Sequence, residues 1–146
     1  MAVTIDGFDE LIASFDRYTD GYKEMAKEAV EKTRPLSEAG MKSALSSAIS
    51  GHATKSGRMS TGSLVGSVQA TPVKENDLGF YSVTRPTGRN AHGERNGAVA
   101  AYLEYGTSKM APSSWREASK NNCEAQVVKA MEDVINKKVE ECFGDG

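Results

Sequence analysis

From Ser114 onward, Ala118, Ala125, Val128, Met131, Val134, Ile135 and Val139 recur at the spacing of one helical face. They predict a long C-terminal helix over 114–142. Its start is marked twice. Pro112 disfavours helix at the residue before it, and Ser114 with Glu117 three positions later has the form of a capping box. A helix of that length with an apolar stripe must lie along something else in the chain, and this constrains the fold more than any other feature.

The N-terminal third supplies further helical patterns, read over 7–50. Val3 to Ile5 has the character of a short strand, after which Asp6 and Asp9 mark a helix start. Phe8, Leu11, Ile12 and Phe15 then repeat on one face. The run "RYTDGY" is expected to interrupt, a second helix follows through Tyr22, Met25, Ala26, Ala29 and Val30, and Pro35 is expected to end it at Arg34. Leu36, Ala39, Gly40, Ser43, Ala44 and Ala48 resume the period with small side chains, so a close neighbour is expected there.

Residues 51–62, "GHATKSGRMSTG", have no period and read as a loop. "SLVGSVQATPV" and "LGFYSVT", separated by "KENDLG", read as a β-hairpin over 64–84. Residues 85–97, "RPTGRNAHGERNG", form a long polar, flexible loop expected to order on assembly. A motif segment, 98–112, joins it to the last helix. The fold class expected is α+β in one domain, 1–146: N-terminal amphipathic helices and a long C-terminal helix packed on a small antiparallel sheet, with a long hairpin-associated loop.

The formal charge of −2 argues against a uniformly basic nucleic-acid face. Its distribution is uneven. Residues 1–20 carry Asp6, Asp9, Glu10, Asp16 and Asp20 against Arg17 alone, whereas 39–74 hold no acid and include Lys42, Lys55, Arg58 and Lys74. A solvated face is the plainer reading; orientation of a subunit among its neighbours is the sharper one. Cys123 and Cys142 both fall in the last helix, too far apart to pair within it, so reduced thiols and cytoplasmic synthesis are expected. The acidic start lacks the pattern of a signal peptide, and no window approaches a membrane span.

Little in the chain suggests chemistry. His52 and His92 lie in expected loops without partners at metal-ligand spacing, and neither a nucleophile elbow nor a phosphate-loop signature occurs. Catalytic, metal and cofactor sites are all expected to be absent. Glu104, between two tyrosines, is the one acid placed to act as a general base. The structural reading is preferred, in which it accepts hydrogen bonds or pairs with Arg58 or Lys109.

"AAYLEYGTSKMAPSSW", preceded by "RMSTGSLVGSV", resembles the small neck or tail-completion (minor tail) proteins of long-tailed bacteriophages, the family containing the gene-ten product of phage Hong Kong ninety-seven. Thr61, Gly62 and Leu64, following the basic Arg58, fall on one motif. Tyr102, Glu104, Tyr105, Gly106 and Thr107 fall on the other, with Trp115 at the step into the last helix. The order of elements agrees along nearly the whole chain. Departures are Met59 and Ser60 where the family has proline before its Thr-Gly step, and Pro112 to Trp115 in place of its Arg-Pro-Phe.

The resemblance implies a structural virion protein of the tail or neck, not an enzyme, that joins the tail to the head connector. It implies a homo-oligomeric ring, with six subunits as the expected count, contacting connector or stopper, tail-terminator or tail-tube proteins. Double-stranded DNA would pass through without specific binding. No membrane partner is implied. In that setting Arg85, Arg89 and Arg95 are candidates for an inter-subunit or DNA-channel loop. A tail terminator is the alternative within the same class. A nucleic-acid module using the three arginines and an enzyme resting on Glu104 are the readings from other classes.

The residues of the second motif also have a local expectation. Val99, Tyr102 and Leu103 would form a short helix or strand, Gly106 would end it at positive φ, and Thr107 would bond the local backbone. Lys109 to Pro112 would then run extended and deliver Trp115 to a core or a neighbour.

Overall fold

The computed structural model describes residues 7–51 and 62–144. The chain is α+β, as its pattern predicts. Helix α1 spans Phe8–Gly51, a single helical turn α2 spans Ser63–Gly66, four short strands follow (β1 Val68–Ala70, β2 Lys74–Asn76, β3 Gly79–Tyr81, β4 Thr84–Pro86), then α3 (Asn96–Tyr105) and α4 (Trp115–Phe143). The expected strand at Val3–Ile5 and nearly all of the expected loop at 51–62 lie outside the described residues. Among the described residues, no helix is long and apolar enough to cross a membrane.

The N-terminal third is one helix of 44 residues, not the interrupted series expected from "RYTDGY" and Pro35. A proline in a helix interior costs about 3 kcal/mol, so something must hold the two halves in line. Helix α4 does so as an antiparallel splint. Its Val134 and Lys138 share a pocket wall with Gly21 and Met25 on one side of Pro35, while Ser119 and Cys123 lie against Gly40 on the other. A side chain on Gly40 would bring its Cβ to 2.8 Å from Cys123 Cβ and 3.2 Å from the Ser119 carbonyl, which explains the run of small residues on that face. At Gly21, likewise inside the helix, a Cβ would meet the Lys138 ammonium that crosses it. The end of α4 meets the first part of α1 through Phe143, edge-on to Phe15 at 5.1 Å between centroids, and through Arg17, which donates to the Cys142 carbonyl at 3.0 Å.

The hairpin exists but begins later than its sequence suggests, because Ser63 to Gly66 make a helical turn in place of a strand. Gly62, at φ 74°, turns the chain into it, and Leu64 is buried beneath. β1 pairs antiparallel with β4, Val68 opposite Pro86 and Ala70 opposite Thr84; β2 pairs with β3, Lys74 opposite Tyr81 and Asn76 opposite Gly79. Thr71 extends the first ladder, its N–H donating to the Val83 carbonyl at 2.9 Å and its hydroxyl accepting the Val83 N–H at 3.0 Å. Pro72 and Val73 therefore stand opposite Ser82 alone. This is a one-residue bulge at a proline that has no N–H for a ladder.

Helix α1 completes the edge of β1. The Glu38 carboxylate accepts the Ala70 N–H at 2.8 Å, and Arg34, one turn earlier, donates to the Ala70 carbonyl at 3.2 Å. Two helical side chains thus take the place of a neighbouring strand, satisfying backbone groups that are costly to leave unpaired. Leu45, Val68, Leu64, Ala100, Leu103 and Trp115, drawn from five elements, form the core at this end. Farther along, Ala29 and Val134 are buried where the β2–β3 hairpin still reaches α1 through Lys23 and Glu75, 3.6 Å apart, and beyond that α1 and α4 continue with Cys142 buried near the end.

Candidate assembly site

The sequence from Tyr102 to Trp115 builds a corner between α3 and α4. Gly106 closes α3 with its N–H on the Tyr102 carbonyl at 2.8 Å, and its φ of 75° is open to glycine at little cost. A Cβ there would fall 2.7 Å from the Met110 carbonyl and 2.8 Å from the Pro112 nitrogen. Both obstacles are backbone, so neither can swing aside. Thr107 exchanges backbone hydrogen bonds with Met110 and accepts the Lys109 N–H on its hydroxyl at 3.2 Å. Ser113 then returns to α3, with both its N–H and its hydroxyl on the Leu103 carbonyl, at 2.8 and 3.0 Å. The corner delivers Trp115 to the core, where it is 4% exposed and its indole N–H donates to the Ala100 carbonyl at 2.8 Å.

Glu104 accepts the Arg116 backbone N–H at 3.0 Å, in the first turn of α4. It thereby caps a helix it does not belong to, and its charge faces the positive end of that helix's dipole. It pairs with neither Lys109 nor any other base among the described residues; Arg58 lies outside them. The capping box expected from Ser114 and Glu117 does not form, since Ser114 makes no side-chain cap bond. Glu104 supplies the acceptor in its place.

The two tyrosines face outward, Tyr105 at 69% exposure. The Arg116 guanidinium donates to the Tyr105 hydroxyl at 3.0 Å and lies 5.5 Å from the centroids of both the Tyr105 and Trp115 rings. Arg116 is a residue that pattern reading misses. It carries no motif signal beyond following Trp115.

The polar stretch 85–97 is held by bonds of its own. Asn90 accepts the N–H groups of His92 and Glu94 on its side-chain oxygen, at 2.9 and 3.0 Å, and Arg89 donates to the Gly93 carbonyl at 2.6 Å. Asn96, buried at the start of α3, ties the segment down by donating to the Thr87 carbonyl at 2.7 Å. The three arginines do not make one patch of free charge. Arg89 and Arg95 face each other across a backbone bridge, with Arg89 turned onto its own loop, while Arg85 lines a separate cleft.

That cleft, of about 490 Å³, has Met41, Pro86, Ala100 and Trp115 as its apolar lining and Arg85 and Arg116 as its charges. Of the other candidate residues, Gly62 and Leu64 set the α2 turn, and Thr61 lies outside the described residues. Lys42, a member of the acid-free middle, is drawn to Glu38 of its own helix at 3.8 Å. Cys123, half-buried beside Gly40, has its thiol pushed above its ordinary value of 9.0 by burial and then by the Glu124 carboxylate.

No protein-family model, curated protein or solved structure matches this chain.

Proposed function

We propose that this chain is a structural protein of a long-tailed bacteriophage virion, a tail-completion or neck component that joins the tail to the head connector within an oligomeric ring around the DNA channel. The observation that carries most weight is a surface. Phe8, Leu11, Ile12 and Phe15 on α1 and Val128, Ile135 and Val139 on α4 are all substantially exposed, although each belongs to a regular apolar stripe. Phe15 rests edge-on against Phe143 near the end of α4, so the turns of α1 before it have no helix to cover them, and exposed apolar faces of this kind mark contact with other proteins.

The tyrosine-glutamate-tyrosine-glycine-threonine motif supports the same reading from the other end of the molecule. Its residues serve geometry: Glu104 caps α4, Gly106 makes the turn, and Thr107 closes it. A role in assembly, with no turnover, asks for such a rigid corner. The arginines of 85–97, one folded onto its own loop, suit a wall beside DNA better than a specific grip on it.

The experiment is to stop the gene early in the phage or prophage that carries it and to view the lysate by electron microscopy. Filled heads beside free tails of normal length are expected. Overlong tails would assign the terminator role instead, and intact infectious particles would refute a place in the virion.

A further inference from the structure

We propose that the first turns of α1 from one copy dock into the Arg85–Arg116 cleft of the next copy, making a head-to-tail contact. The inference deepens the ring reading and rests on it in one respect: a contact between two different patches of identical chains is what closes a ring.

The two surfaces complement each other in both apolar shape and charge. On α1, Phe8 is 55% exposed, with Leu11 and Ile12 on the same flank, while Phe15, a turn further on, is already edge-on to Phe143. Around them lie Asp9, Glu10, Asp16 and Asp20, which make no ion pair among the described residues; Arg17, the one base there, is turned to Ser14 and the Cys142 carbonyl. The cleft offers the converse. Its apolar lining can receive an aromatic or aliphatic side chain, and neither Arg85 nor Arg116 has an acidic partner among the described residues. Arg116 is already oriented by Tyr105 and Trp115, so little side-chain freedom remains to be lost on binding.

The patches cannot satisfy each other within one molecule. Met41, which lines the cleft, is 33 residues along α1 from Phe8, about 50 Å on a helix rising 1.5 Å per residue. Only a second copy can bring them together. A reciprocal two-fold pair, each copy's α1 in the other's cleft, would set acids against arginines just as the head-to-tail arrangement does, so the assembly's mass decides between them: species larger than a dimer are expected, and a dimer alone would overturn the head-to-tail contact.

The test uses purified protein in sedimentation velocity and native mass spectrometry. Arg85→Glu in one preparation and a joint Asp9→Lys and Glu10→Lys change in another should each weaken self-association by about tenfold or more. Mixed in equal amounts, they should associate again, because each reversed helix then meets a reversed cleft. Leu11→Ser, which alters no charge, should weaken association alone and find no rescue. Thermal unfolding of each variant checks that the fold is retained; should Arg85→Glu fail to fold, Arg85→Gln takes its place for the loss of association and Leu11→Ser remains. A wild-type chain that is monomeric at every concentration, single variants that associate as wild type, or a mixture without rescue would each overturn the proposal. Its failure is separable from that of the virion role: rescue in the mixture with infectious particles from the gene-stopped phage would leave the contact standing, and free tails with a monomeric chain would leave only the virion role.

Discussion

The two ends of this molecule treat the same kind of residue in opposite ways. At the corner end, Leu45, Leu64, Val68, Leu103 and Trp115 are covered by five elements, and the half-buried polar groups of Glu104 and Ser113 are committed to the chain's own backbone. At the arm end, where α1 runs on past the end of α4, Phe8, Leu11 and Ile12 are exposed on turns whose other residues, Asp9, Glu10 and Ala13, are exposed as well. Burial of apolar area is the main stabilising term in folding. On the proposed reading, the corner is scaffold with the Arg85–Arg116 cleft at its edge as socket, and the arm is the contact.

Breaking the scaffold should cost stability first. Trp115→Ala removes the largest side chain of the core and an indole hydrogen bond, with an expected loss of about 3–5 kcal/mol in equilibrium denaturation. Gly106→Ala places a Cβ against the Met110 carbonyl and Pro112 at positive φ, and about 1–3 kcal/mol is expected by the same measurement. Glu104→Ala leaves the first turn of α4 without its carboxylate cap, an expected cost of about 1 kcal/mol, and Glu104→Gln, which keeps an acceptor oxygen, should cost less.

The arm should respond differently. Ile12→Ser is expected to change the unfolding free energy of the monomer by about 0.5 kcal/mol or less, yet to reduce self-association. A loss comparable to that of Trp115→Ala would make the arm a part of the core instead.

The smallest effect concerns the seam where the two ends meet. Because the Cys123 thiol titrates above its ordinary value of 9.0 in the folded chain, the folded state holds that proton where the unfolded state has released it. Stability should therefore fall as pH rises through 9.0 and stop falling above the folded value. Cys123→Ala should flatten that alkaline slope in a denaturation series.

The length of α4, the hairpin, the turn at Gly106 and the delivery of Trp115 are legible in the sequence because each rests on local chemistry: apolar period, turn residues, positive φ. The continuity of α1 is not. Local rules stop a helix before Pro35, whereas the partners that hold the halves in line, α4 above all and the sheet through Glu75 and Ala70, come far later in the chain. The cap on α4 is hidden for the same reason. Ser114 and Glu117 satisfy the local template, but the acceptor comes from Glu104 across the corner. Nor can pattern distinguish the two stripes on α4, since Val134 is buried and Val128 exposed although both recur at helical spacing. Of the candidate site, the residues are visible as a motif and the turn at Gly106 follows from local chemistry; the cleft is not legible, because Arg85, Arg116 and Met41 meet only in the fold.

Hydrogen exchange, followed segment by segment across a dilution series, tests the division between scaffold and contact most directly. Protection over Phe8 to Asp16 should rise with protein concentration, while the Gly106 and Ser113 amides, already bonded within the chain and outside the lining of the Arg85–Arg116 cleft, should exchange at a constant rate. Concentration-dependent protection at those corner amides, with none over Phe8 to Asp16, would contradict the account.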